Sequence, residues 1–106
     1  MIDATDASFE HDVLTAETPV LVEFTAPWCR PCRVIEPFLV DLEREHVGRL
    51  RLVRLDIDAN AGVPARYGVL ALPTVMLFAG GEPVEAIHGA QPRRRYAEAV
   101  ARALGA

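Results

Sequence analysis

Cys29 and Cys32 are the only thiols in the chain, and they stand three residues apart in Cys29-Arg30-Pro31-Cys32. Two cysteines are too few to staple a secreted scaffold, and this spacing is too short for an ordinary loop-closing structural disulfide. The pair therefore points to reversible thiol–disulfide chemistry. A structural zinc site needs four ligands, and the remaining candidates His11, His46 and His88 are not spaced like a zinc knuckle. Val34, Ile35, Phe38, Leu39 and Leu42 follow at three- and four-residue intervals, which predicts an amphipathic helix from about Arg30 to His46 with the cysteines at its start. A thiolate there is stabilised by unpaired backbone N–H groups and the positive end of the helix dipole. Cys29 is the expected exposed nucleophile, and Cys32, one turn further on, is placed to attack a mixed disulfide at Cys29 and release the reduced partner. Arg30 adds a cation that favours the Cys29 thiolate, which predicts a more oxidising couple than a neutral residue would give. Pro31 stiffens the dipeptide.

Several elements must hold that helix start in place. A short N-terminal strand is followed by a segment carrying Phe9, Val13 and Leu14, a helix that Ser8 is suited to cap. Val20-Leu21-Val22-Glu23-Phe24 reads as a strand buried on both faces, which makes the charge of Glu23 anomalous. Pro37 lies inside the long helix and predicts a bend. Residues 49–58 read as a strand and 61–68 as a short helix ending in glycine. Residues 74–79 and 84–88 flank Gly80-Gly81-Glu82-Pro83, a hairpin signal. Pro92 suits the first turn of a last helix whose inward face is Tyr96, Val100, Ala103 and Leu104. The expected architecture is α/β in the order βαβαβαββα: about five strands in a mixed central sheet, helices on both faces, crossovers pairing the early strands in parallel, and an antiparallel terminal hairpin.

Composition narrows the partners. The 106 residues are 51% hydrophobic and 25% charged, enough apolar material for one folded domain spanning 1–106. The net charge of −4 carries no long single-sign block, so neither nucleic acid nor a membrane surface is an expected partner. All eleven cations are arginine, which leaves no lysine for Schiff-base chemistry. The acidic N-terminus lacks a basic region followed by an apolar one, and the expected location is cytoplasmic, with a monomer as the expected state.

Phe24-Thr25-Ala26-Pro27-Trp28-Cys29-Arg30-Pro31-Cys32-Arg33, followed about forty residues later by Ala71-Leu72-Pro73-Thr74, resembles the thioredoxin family, and the resemblance runs over essentially the whole chain. It implies the thioredoxin fold and a thiol–disulfide oxidoreductase that reduces protein disulfides. No cofactor would be bound, and electrons would come from NADPH through a separate flavin-dependent thioredoxin reductase. Position by position, Cys29 would attack, Cys32 would resolve, and Pro73 would be a cis-proline facing them. Leu72 would lend backbone groups to an extended substrate segment, and Trp28, Arg30, Pro31, Ile57, Pro73, Gly89 and Ala90 would form the docking surface. Glu23 would be the buried carboxyl that moves the Cys32 proton through a water, with a pKa raised by burial.

This chain departs from the family pattern at five positions. Glu23 stands where Asp is usual, Arg30 where Gly is usual, Arg33 and Arg54 where Lys is common, and Thr25 replaces the first of two tryptophans. Arg54 is expected to tune Glu23 by pairing with it and holding it ionised. Two other readings follow from the residues: a thiol oxidant or disulfide isomerase, favoured by Arg30, and a redox-inactive interaction module on the same fold.

Overall fold

The computed structural model describes residues 1–105. Val20–Thr25, rich in β-branched and aromatic residues, forms strand β2 at the centre of a five-stranded sheet of order β1-β3-β2-β4-β5. The other strands are β1 (Ile2–Ala4), β3 (Arg51–Asp56), β4 (Thr74–Ala79) and β5 (Glu82–His88). β1 and β2 run parallel to β3, whereas β4 is antiparallel to both β2 and β5. The sequence expectation of parallel crossovers therefore holds for the first three strands only. The short helix α2 (Gly62–Arg66) carries the chain from β3 past β2 to an antiparallel neighbour.

The period of two along β2 divides the core. Leu21 faces a layer built on helices α1 (Arg30–Glu45) and α3 (Arg93–Ala103), where Ile35, Leu39, Leu42, Tyr96, Ala99 and Val100 are buried. Val20, Val22 and Phe24 face the opposite layer, with Phe9, Val13, Val63 and Phe78. Phe9, Tyr67 and Phe78 close that layer with ring centroids 5.2–5.8 Å apart, two of the three contacts edge-on. Glu23 shares the face of Leu21, so its side chain enters the layer beneath α1.

Three local expectations are corrected. The Phe9–Leu14 region widens into a π-helical turn, Glu10–Leu14, in which the Thr15 N–H donates to the Glu10 carbonyl at 3.0 Å. Ser8 does not cap it; the Ser8 N–H donates to Thr5 Oγ1 at 3.0 Å and the Thr5 N–H to Ser8 Oγ at 2.8 Å, a reciprocal pair three residues apart that places the cap at Thr5. Val34 is 58% exposed instead of inward, because the buried stripe of α1 is Cys32, Ile35, Leu39 and Leu42.

Gly80 and Gly81 turn the β4–β5 hairpin with φ of 62° and 80°. At Gly81 a Cβ would also sit 2.9 Å from the Leu14 carbonyl oxygen, whereas at Gly80 it would meet nothing. Gly81→Ala is therefore expected to destabilise the protein by about 2 kcal/mol or more, and Gly80→Ala by roughly 1 kcal/mol. Denaturant midpoints of the two variants measure the difference, and equal midpoints would refute the backbone clash.

Candidate active site

Helix α1 begins where the side chain of Cys29 takes the N-cap position, with extended backbone (φ −83°, ψ 99°) and Sγ accepting the Cys32 N–H at 3.2 Å. Pro31 lies in the first turn, where its missing N–H costs no intrahelical bond. The two cysteines are joined in a disulfide, with Cα atoms 5.4 Å apart. Contrary to the expectation of an exposed nucleophile, Cys29 is only 2% accessible in this oxidised form and Cys32 is fully buried. The first helical turn folds Cys29 Sγ back over the Cys32 amide, and Ala26, Ile57 and Leu72 pack around the pair.

The surrounding loops converge on that pair. Trp28 is 66% exposed, and its indole N–H donates to Asp58 Oδ2 at 2.9 Å, which pins the ring beside the Ile57 segment. Ile57 is held by its N–H bond to the Thr25 carbonyl at 2.9 Å. Leu72-Pro73 is a cis peptide bond, and Thr74 Oγ1 donates to the Ala71 carbonyl at 2.8 Å across it. The Pro73 carbonyl accepts the Gly89 N–H at 2.9 Å, which joins the Gly89-Ala90 loop to this segment. Arg30 and Pro31 lie exposed on the first turn of α1, and Ala90 is exposed on the neighbouring loop. The dispersed residues singled out from the sequence thus fall into two connected groups: Cys29, Cys32, Ile57 and Leu72 in one contact cluster, and Pro73 bonded to Gly89 beside it.

Glu23 is the exception to the chemistry of this interior. It is fully buried, and neither carboxyl oxygen has a hydrogen-bond donor. Burial raises its pKa to about 8, with the negative charge of Glu36 adding to the rise and the positive charge of Arg54 opposing it. The expected ion pair between Arg54 and Glu23 is not formed. Arg54 is the register partner of Glu23 on β3, but its guanidinium reaches outward, to Asp3 at 2.7 and 3.2 Å and to Glu36 at 2.8 Å. These partners are partly hydrated, so the ion pairs form there at a smaller desolvation cost than at the buried Glu23. The hydrogen bond from Arg54 holds the Asp3 carboxyl below its usual pKa.

Glu36, Asp3 and Asp58 were not singled out from the sequence. Glu36 carried a usable signal, since it lies four residues after Cys32 and so on the same helix face. Asp3 and Asp58 carried none, because their partners lie 51 and 30 residues away. Among the described residues no group of three or more His, Cys, Asp or Glu is placed to hold a metal ion, and no helix is long and apolar enough to cross a membrane.

A sequence model of the thioredoxin family matches residues 1–102. The chain is 40% identical over 99 residues to thioredoxin of Synechocystis sp., covering 93% of this chain and 92% of that protein. It is 49% identical over 81 residues to thioredoxin of Pseudomonas aeruginosa, covering 76% and 75% of the two chains. It is also 39% identical over 95 residues to a chloroplastic M-type thioredoxin of Pisum sativum, covering 90% of this chain and 55% of that protein. A cysteine pair at a helix start, the five-stranded mixed sheet and a family model that matches nearly the whole chain agree, and the chain belongs to the thioredoxin family of thiol–disulfide oxidoreductases.

Proposed function

We propose that this chain, as one thioredoxin unit over 1–106, reduces disulfides of protein substrates with Cys29 as nucleophile and Cys32 as resolving thiol. The observation that carries the reading is the asymmetry of the pair: Cys29 caps the helix, and Cys32 lies one turn deeper and fully buried. The Cys29 thiolate attacks one sulfur of the substrate disulfide, forms a mixed disulfide and releases the first substrate thiolate, which takes a proton from water. Cys32 then gives its proton to the Glu23 carboxylate, attacks Cys29 Sγ and expels the second substrate thiolate. Two electrons pass from the dithiol to the substrate. In the reverse direction, when a reductant opens Cys29–Cys32, protonated Glu23 returns the proton to the departing Cys32 sulfur.

Trp28, Arg30, Pro31, Ile57, Leu72, Pro73, Gly89 and Ala90 serve as the docking surface for an extended substrate segment, with Pro73 shaping it beside the cysteines. Arg54 tunes the site at one remove, through Glu36. Electrons are resupplied from NADPH by a separate flavin-dependent thioredoxin reductase, and the chain acts as a monomeric electron carrier of the cytoplasm. The likeness to bacterial thioredoxins supports that location.

The test is a redox titration of Cys29/Cys32 against glutathione buffers, followed by Trp28 fluorescence. The expected potential lies well below the glutathione poise, and a value near that of disulfide isomerases, about −180 mV, would overturn the reducing direction. Arg30→Gly removes a cation from beside the Cys29 thiolate, so the dithiol form is less favoured and the potential falls, on the order of 10–20 mV for a solvent-exposed charge. A rise in potential would show that the charge of Arg30 acts with the opposite sign.

A further inference from the structure

Beneath the disulfide the structure pairs two carboxyl groups. Glu23 on β2 is fully buried and meets no hydrogen-bond donor. Glu36 on α1 lies one helical turn beyond Cys32, its charge acts on Glu23, and its own carboxyl accepts at 2.8 Å from Arg54, the register partner of Glu23 on β3. Arg54 is anchored in turn by Asp3 on β1. Two ionised carboxylates repel each other and have no proton to bond through, whereas a carboxyl and a carboxylate share one. Arg54 breaks the symmetry of the two, because it donates to Glu36 and not to Glu23.

Glu36, Arg54, Asp3 and Arg33 also line a solvent-open cleft of about 520 Å³, which Asp56 and Asn60 complete. Glu36 therefore reaches the water of the cleft, while its negative charge acts on the buried carboxyl of Glu23. The other groups around Glu23 are Cys32 on α1 and the Tyr96 phenol on α3, whose pKa is raised by burial and further by the Glu23 charge. The residue opposite Glu23 on β4 is the uncharged Val75.

We infer that Glu36 is a positioning residue of the thiol–disulfide reaction: it shares a proton with Glu23 and connects it to water in the cleft. The inference rests on the proposed proton role of Glu23. When a reductant thiolate attacks Cys29 Sγ, the Cys29–Cys32 bond breaks and Cys32 leaves with the electron pair. Its sulfur takes the proton of Glu23, and Glu23 is reloaded through Glu36 from cleft water.

The experiment uses the full chain in its disulfide form, with two readouts for wild type, Glu36→Gln, Glu36→Asp and Glu23→Gln. The first is the titration of the Glu23 carboxyl by carbon NMR. The second is the rate of reduction by dithiothreitol from pH 6 to 9, corrected for the thiolate fraction of the reductant. Glu36→Gln removes the repelling charge and offers Glu23 an amide donor, so the Glu23 midpoint should fall by about one pH unit or more. The corrected rate profile should move down in pH by the same amount, with a loss of at least about threefold near pH 7.5 as the general acid is ionised. Glu36→Asp should restore most of the shift. An unmoved NMR midpoint in Glu36→Gln overturns the shared proton, and a moved midpoint with an unmoved rate profile overturns the role of Glu36 in the reaction. Glu23→Gln separates the two readings: a rate profile that survives it refutes the proton role of Glu23 itself, while the NMR titration still decides the pairing. A purely structural Glu36 would lower thermal stability in Glu36→Gln without moving either midpoint.

Discussion

Cys29→Ser is expected to abolish disulfide reduction, with a loss of at least about a thousandfold, the scale on which removal of a catalytic nucleophile is felt. The hydroxyl cannot replace the thiolate, because at the same helix N-cap an alcohol remains protonated where a thiol ionises. Cys32→Ser is expected to fail differently. Its Cys29 is intact and can still attack, but the resolving thiol is gone, so the protein should accumulate as a mixed disulfide with its substrate. Insulin reduction followed by turbidity measures the first effect, and intact mass after incubation with a disulfide substrate measures the second. Multiple-turnover activity in Cys29→Ser, or free Cys32→Ser protein with no adduct, would contradict the assignment of nucleophile and resolver. In the oxidised form Cys29 is 2% accessible, with Ile57 and Leu72 packed against the pair.

Glu23→Gln is expected to stabilise the protein at alkaline pH by several kcal/mol relative to wild type. Burial raises the folded-state pKa of Glu23 to about 8, against 4.5 for the free side chain. The native state therefore holds a proton that the unfolded state releases between those two values. The stability this proton contributes is fully present below pH 4.5 and is lost as pH rises through about 8. A shift of this size corresponds to about 5 kcal/mol across the window. Glutamine has nearly the same shape and does not titrate, so the stability difference between variant and wild type should grow by that amount from pH 4 to pH 9. Urea unfolding of the disulfide form at these two pH values measures it, and a pH-independent difference would show that Glu23 is not a buried neutral acid. The same substitution should slow the departure of Cys32 from its disulfide bonds more than it weakens substrate docking. Stability is thus given up at a position where the proposed chemistry needs a proton.

Much of this arrangement could be read from residue order because its causes are local. The helix start at Cys29 follows from apolar spacing beyond the pair, and the β2 strand from its β-branched run. The Gly80-Gly81 turn follows from the positive φ that both glycines adopt. Ser8 was the wrong cap because Thr5 offers the same chemistry three residues earlier, and local sequence does not rank the two. The mixed sheet was legible as well, but which strand β4 pairs with was not, because that depends on the side of β2 it reaches and not on local order.

The sequence by itself determined the reaction: two thiols at this spacing before an amphipathic helix, with a charge inside an apolar strand, specify residue types whose chemistry does not depend on distant neighbours. Only the tertiary structure decided how those groups are tuned. Arg54 and Glu23 are register partners on adjacent strands, yet Arg54 turns to Asp3 and Glu36 because ion pairs form at smaller cost where water still reaches them. That choice leaves Glu23 without a cation and beside a second carboxyl, a result of desolvation and of contacts 18 and 51 residues apart along the chain. Electrostatics in a low-dielectric interior depend on three-dimensional distance and access to water, and neither quantity is carried by the local order of residues.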